Sequence, residues 1–266
     1  MTSAWSAAAI ALFAWWFFTG AILLVVRRAD AGDQVAHGRN VFLSVPLFAL
    51  GFAGLWISSQ AMTVAHAYLA FVSVLLIWGW IELAFLSGII TGPERRCCPD
   101  ALIGYARFAR AWDTISRHEL LLVAALLAVA MISAHAENTV GFWTYVILFV
   151  ARISAKLNLF FGVPRINTEF VPTPLDHIKS YFRQGPITMA FPIGVTFLSV
   201  TAVCFAERLL SSETQATTVG FSLLTALAVL AALEHWLMVV PLPDAKLWRW
   251  MLPDSATSRQ DQTNEL

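Results

Sequence analysis

The sequence predicts an all-α polytopic membrane protein, a bundle of about seven transmembrane helices. Three observations carry this reading. Only 13% of the 266 residues are charged and 58% are hydrophobic, whereas soluble domains carry about 25% charged residues. Seven runs are long and apolar enough to approach the roughly 20 residues needed for a crossing helix. Lysine and arginine fall almost entirely in alternate connections. Together with a mean hydropathy of +0.69, these features exclude a soluble enzyme, a disordered regulator and a secreted disulfide scaffold. The balance of 17 basic against 17 acidic residues gives no net positive field for nucleic acid.

The first run, 5–26, holds no charge. The second, 41–57, is slightly short. The third, 62–90, is long enough to tilt and holds Glu82. The fourth, 117–136, opens on His118 and Glu119. The fifth, 140–163, is interrupted by Arg152 and Lys156. The sixth is 187–206, and the seventh, 217–240, holds Glu234 and His235. Barrel strands would alternate polar and apolar residues, which these runs do not. Short links at Gln60 and at 137–139 predict tight antiparallel hairpins. The links 27–40, 91–116 and 164–186 are longer and polar.

Arg27, Arg28, Arg39, Arg95, Arg96, Arg107, Arg110, Arg117, Arg165, Lys179, Arg183, Lys246, Arg249 and Arg259 all fall on one side of this topology. Arg208 falls on the other. The positive-inside rule then places the amino terminus outside and the carboxyl terminus in the cytoplasm, in a multi-pass membrane protein. No basic segment precedes the first run, so it reads as a retained helix and not as a cleaved leader. Residues 1–253 read as a single membrane domain and 254–266 as a polar tail. At the end of that domain, the aromatic and basic segment 241–253, with Trp248 and Trp250, reads as an interfacial anchor.

Ionisable groups are costly in hydrocarbon and mark function. At about 1.5 Å per residue, Glu82, Lys156 and Glu234 lie roughly 30, 24 and 25 Å along their inward-running helices. They therefore share one level near the inner boundary with His118 and Glu119. The candidate site is a polar pocket of Glu82, His118, Glu119, Arg152, Lys156, Asn158, Glu234 and His235. Arg152 and Lys156 are four residues apart and share a face, so carboxylates such as Glu82 and Glu234 are expected opposite them. Asn158 shares its face with Ser154. A structural reading stands beside the functional one: the cations snorkel and the carboxylates pin helix packing.

No metal site is expected, because Glu-x-x-His pairs are absent and His118–Glu119 and Glu234–His235 are adjacent. No phosphate loop, dinucleotide fingerprint or nucleophile elbow occurs. Cys97, Cys98 and Cys204 read as reduced thiols. The 164–186 link is the richest connection, with Asn167, Glu169, His177 and Lys179 among four prolines. Its prolines predict an extended piece followed by a short amphipathic element at 175–182. It reads as a lid over the pocket, a docking surface or a surface connector.

The run Ser154-Ala-Lys-Leu-Asn-Leu-Phe-Phe-Gly-Val-Pro, then Asn167-Thr-Glu-Phe and Asp176-His-Ile-Lys-Ser-Tyr-Phe, resembles the photosynthetic complex assembly proteins of the PuhE type. Glu234-His-Trp and Pro241-Leu-Pro-Asp-Ala-Lys-Leu-Trp-Arg-Trp extend the likeness, which spans nearly the whole chain. The resemblance implies a purple phototrophic bacterium and a membrane-embedded accessory or assembly factor for the photosynthetic apparatus, acting in reaction-centre or light-harvesting complex formation or in bacteriochlorophyll supply. The implied partners are the lipid bilayer and reaction-centre, light-harvesting or pigment-biosynthesis proteins. Bacteriochlorophyll or a precursor is the candidate contact. The resemblance assigns a role to the chain and a catalytic role to no residue. The alternative is a membrane enzyme or enzyme subunit acting on a tetrapyrrole or another lipid-soluble substrate, drawing its acid–base groups from Glu82, His118, Glu234 or His235.

Overall fold

A computed structural model describes residues 3–32 and 35–241. The anchor segment and tail expected beyond residue 241 lie outside these residues. Among the described residues the chain is all-helical, and seven segments are long and apolar enough to cross a membrane. The helices are α1 (Ala4–Asp30), α2 (Val35–Leu43), α3 (Val45–Ser58), α4 (Val64–Leu86), α5 (Gly104–Ser133), α6 (Val140–Phe161), α7 (Ala190–Leu210) and α8 (Gln215–Leu237). Helices α2 and α3 together form the second span.

Several boundaries differ from the sequence reading, each for a local reason. The second span starts at Val35 and not at residue 41, and it is broken at Ser44, just before Pro46 in the first turn of α3. A proline lacks the N–H that would continue the ladder. At the break the Val41 carbonyl accepts from Ser44 Oγ at 2.9 Å and from Trp80 Nε1 at 3.2 Å. Helix α4 stops at Leu86 and not at residue 90. Gly88 takes φ +71°, and the amides of Ile89 and Ile90 turn back to the Ala84 carbonyl. A residue with a side chain would be strained at that φ. Helix α5 begins at Gly104, far ahead of the expected residue 117. Its first three turns present Tyr105, Phe108 and Trp112 beside Arg107 and Arg110, an interfacial mixture and not a loop.

The hairpins expected at the short links are present. Gly51 and Gly54 on α3 meet Ser73 and Ile77 of α4 so closely that an added Cβ at either position would collide. Small residues at such contacts let helices approach within a bilayer. Asn138 stitches the opposite face: its Oδ1 accepts from Val140 N, and its Nδ2 donates to the carbonyls of Ser58 and His66, all at 3.0 Å. Helix α4 is the central element, with Phe71, Val74, Ile77 and Ile81 fully buried. In the half of the bundle away from the arginine-rich face, Ala67, Phe71 and Leu75 pack in one core with Leu223, Leu224 and Leu227 of α8. α1 and α6 flank this pair.

Helices α1, α4, α6 and α8 all end on the arginine-rich face. Their last carbonyls lack intrahelical partners, and arginines supply several. Arg95 donates to Gly88 O at 3.1 Å, Arg107 to Phe160 O at 3.3 Å, and Arg165 to Leu237 O at 3.3 Å and Val240 O at 2.6 Å.

Two outcomes are expected. Gly54→Leu should lower unfolding stability by about 1–3 kcal/mol through overpacking against α4, read as detergent-solubilised thermal or denaturant unfolding. If the arginine-rich face is cytoplasmic, an impermeant maleimide should reach exposed Cys97 only in inverted vesicles, and a Glu213→Cys variant should react at residue 213 only in right-side-out ones.

Candidate functional site: a charged wall beside an apolar cavity

Helix periodicity sets two different polar faces on α6. Arg152 and Lys156 occupy one, and Ser154 and Asn158 the other. On the first face Arg152 Nη2 donates to Glu82 Oε2 at 2.7 Å, and Lys156 Nζ donates to Glu119 Oε1. His118, with no solvent exposure, bridges the two pairs. Its Nδ1 lies 3.2 Å from Glu119 Oε1 and 3.0 Å from Lys156 Nζ, while its Nε2 lies 3.7 Å from Glu82 Oε1. The Phe85 ring covers the imidazole at a centroid distance of 4.2 Å and lies under both cations. Five ionisable groups from α4, α5 and α6 thus share one network.

The sequence reading gathered eight residues; the structure brings five of them into this network. Glu234 does not neutralise the cations as expected. Its Oε1 accepts from Trp15 Nε1 of α1 at 2.8 Å, and the second carboxylate of the network is Glu119. His235 and Asn158 meet instead on the far face of α6. His235 Nδ1 lies 2.8 Å from the Ala231 carbonyl, which can only accept, so Nδ1 carries the proton and Nε2 accepts from Ser154 Oγ at 2.9 Å. Asn158 Nδ2 donates to the Ser154 carbonyl at 2.9 Å. An added Cβ at Gly194 of α7 would strike Ser154 Oγ, so this second cluster is a packed helix junction.

A cavity of about 480 Å³ adjoins the charged wall. Arg152, Lys156 and Glu234 face it, with Trp15, Phe85, Phe160, Phe170 and Phe182 making much of the remainder. A second cavity of about 390 Å³ continues beside it, lined by Leu75, Trp78, Glu82, Leu227 and His235. Trp15, Thr19, Leu86, Arg152, Glu234 and Met238 border both.

The 164–186 connector covers the first cavity. After α6 the chain departs at Gly162 and returns to the same helix end. Val163 N donates to Arg183 O at 3.2 Å, Arg183 N to Leu159 O at 2.9 Å, and Gly185 N to Val163 O at 3.0 Å. Between these points lie two 3-10 turns, Thr168–Phe170 and Thr173–Tyr181. The second overlaps the amphipathic element expected at 175–182, with Leu175, Ile178 and Tyr181 buried inward. Of the four connector candidates, Asn167 lines the cavity. Glu169 receives Arg27 through its backbone carbonyl. Lys179 pairs with Asp176 at 2.5 Å on the outer side. His177 is half-buried, and desolvation followed by the nearby Arg95 lowers its pKa. Trp15 and Phe85 escaped the sequence reading; aromatic residues in an apolar run read as core.

The comparisons with known proteins fit this frame. Residues 1–259 match the family described as "Protein of unknown function (DUF3623)", and the chain belongs to it. It is 47% identical over 253 residues, 95% of this chain and 92% of the relative, to an "Uncharacterized 30.4 kDa protein in puhA 5′region" of Rhodobacter capsulatus. No solved structure matches significantly.

Breaking a buried pair leaves an uncompensated charge. Lys156→Gln should therefore lower unfolding stability by about 3–5 kcal/mol, and the double variant Glu119→Gln/Lys156→Gln should recover most of that loss. A thermal-unfolding mutant cycle in mild detergent measures both.

Proposed function

We propose that the protein is an accessory factor for assembly of the bacterial photosynthetic apparatus, embedded in the cytoplasmic membrane with the arginine-rich face toward the cytoplasm. In this reading it acts on reaction-centre or light-harvesting complex formation, or on bacteriochlorophyll supply, through a partner or pigment contact near that face. The observation that carries the reading is the relative encoded in the 5′ region of puhA, whose likeness covers 95% of this chain. The resemblance described from the sequence ties the same kind of protein to reaction-centre genes.

One space in the molecule supports this reading. The segments that carry the resemblance surround one space: Lys156, Leu159 and Phe160 from the end of α6, Asn167 and Phe170 from the first 3-10 turn, Ile178 and Tyr181 from the second, and Glu234 from α8. Pocket volumes of about 300–1,000 Å³ are typical of small-molecule and cofactor sites. The apolar and aromatic lining suits a hydrophobic body, and the charged wall supplies orientation.

One observation favours the second reading, a membrane enzyme on a tetrapyrrole or other lipid-soluble substrate. Glu234 faces an apolar cavity, has an indole as its hydrogen-bond partner and is not ion-paired among the described residues. A carboxyl so placed is within reach of a bound molecule for proton transfer.

In a phototrophic host, deletion of the gene should lower reaction-centre and light-harvesting absorption several-fold while leaving the pigment-precursor profile normal. Glu234→Gln should give an intermediate loss. Accumulation of one specific precursor in the Glu234→Gln strain would favour the enzyme, and normal complex levels in the deletion strain would overturn the assembly role.

A further inference from the structure

We propose that the two joined cavities bind an amphiphile, with its anionic end against Arg152 and Lys156 and its apolar body directed toward Trp78 and Leu227. This deepens the reading of the site above by naming the chemical class of its occupant. Two facts about the wall lead to an anion. Arg152 and Lys156 both face the first cavity, whereas their carboxylate partners do not: Glu82 borders only the second cavity and Glu119 borders neither. Glu82 and Glu119 thus hold the cations from behind; on the cavity side Glu234 stands against Arg152, Lys156 and Arg165, so the formal charge of the described lining stays positive. Arg152 keeps 32% of its side chain exposed even while paired, so it has surface left to offer a ligand. Guanidinium and ammonium groups bind carboxylate and phosphate oxygens through short charge-assisted hydrogen bonds.

The rest of the lining leads to an apolar body. Phe85, Phe160, Phe170 and Phe182 surround the charged end; the deeper cavity carries Glu82 and His235 at the level of that end and Leu75, Trp78, Leu148 and Leu227 beyond it. The order of these features follows the bilayer. The cations and the connector lie toward the arginine-rich face, and Leu75 and Leu227, two turns before Glu82 and Glu234 on α4 and α8, lie toward the middle of the span. An amphiphile entering in membrane orientation meets its matching surroundings without inverting. Glu234 and Trp15 mark the waist between the cavities and border both, so they contact the molecule where its polar end gives way to its apolar body.

The anionic end has two sources, a free carboxylic acid or a membrane phospholipid. The test uses the full-length protein purified into phosphatidylcholine nanodiscs, with radiolabelled oleate, methyl oleate and phosphatidylglycerol as probes. Oleate or phosphatidylglycerol should bind near one per protein, and methyl oleate at least about ten-fold more weakly, the loss expected for a charge-assisted contact. Binding of oleate alone identifies a free acid, and binding of phosphatidylglycerol alone a lipid headgroup; both support the proposal. Equal binding of acid and ester, or binding of none of the three, overturns it. Glu119→Gln/Lys156→Gln removes the cation together with its counter-charge and should erase much of the preference for the acid over the ester. Thr19→Trp, which fills the space shared by both cavities, should abolish binding in a protein of unchanged melting temperature. Full affinity in Thr19→Trp would also overturn the proposal. The assay uses purified protein, so its failure leaves the assembly reading to be decided by complex levels in cells.

Discussion

The interaction on which this molecule depends is the neutralisation of Arg152 and Lys156 within the bilayer. Two cations one turn apart on α6 repel each other in a medium that screens them poorly. They are tolerated because α4 brings Glu82 to one and α5 brings Glu119 to the other. His118 between the pairs and the Phe85 ring over it complete the enclosure. The requirement fixes the rotation of three helices about their axes, since each must point one particular residue at the same small volume. It also fixes the level at which they meet, and so positions the wall of the adjacent cavity.

The same economy appears at the arginine-rich face. The arginines that the positive-inside rule counts as topological signals also complete helix ends. Arg107 and Arg165 donate to terminal carbonyls of α6 and α8, and Arg95 to the Gly88 carbonyl in the turn that follows α4. Four helices, α1, α4, α6 and α8, present their negative dipole ends there, where cations are favoured. Arg107 joins two structures at once, since it also donates to Tyr181 O at 2.7 Å and stacks over Phe160. The connector is thereby tied to the helices it covers.

Much of the architecture was legible in the residues because hydropathy reports burial in lipid directly. The seven spans, the two hairpins at short links and the two polar faces of α6 all follow from run length or from four-residue spacing. Pairing across helices was legible only in part: Glu82 was expected opposite the cations and pairs with Arg152, but the second carboxylate was not evident. Glu234 looked like the natural counter-charge because it sits at the same depth as Lys156, but depth says nothing about rotation. Glu119 stood among the pocket residues without being marked as a counter-charge, and α5 seemed to start at residue 117. The true start at Gly104 follows from an interfacial helix whose tyrosine, phenylalanine and arginines resemble a loop in average polarity. A cue was present in the 105–117 segment: no proline or glycine interrupts it, and Phe108, Trp112 and Ile115 recur at helical spacing. Trp15 left no sequence trace of its role, because an indole N–H directed inward is indistinguishable from one anchored at a headgroup.

The unbroken course of α5 has a mechanical consequence. Tyr105 stands 84% exposed near its start, and Glu119 lies on the same rod about 21 Å further on. No hinge, proline or glycine separates them. Whatever grips the exposed end therefore holds a rigid handle on the buried charges, and a small tilt or roll applied at the headgroups is delivered undiminished to Glu119 and the salt bridge it makes with Lys156.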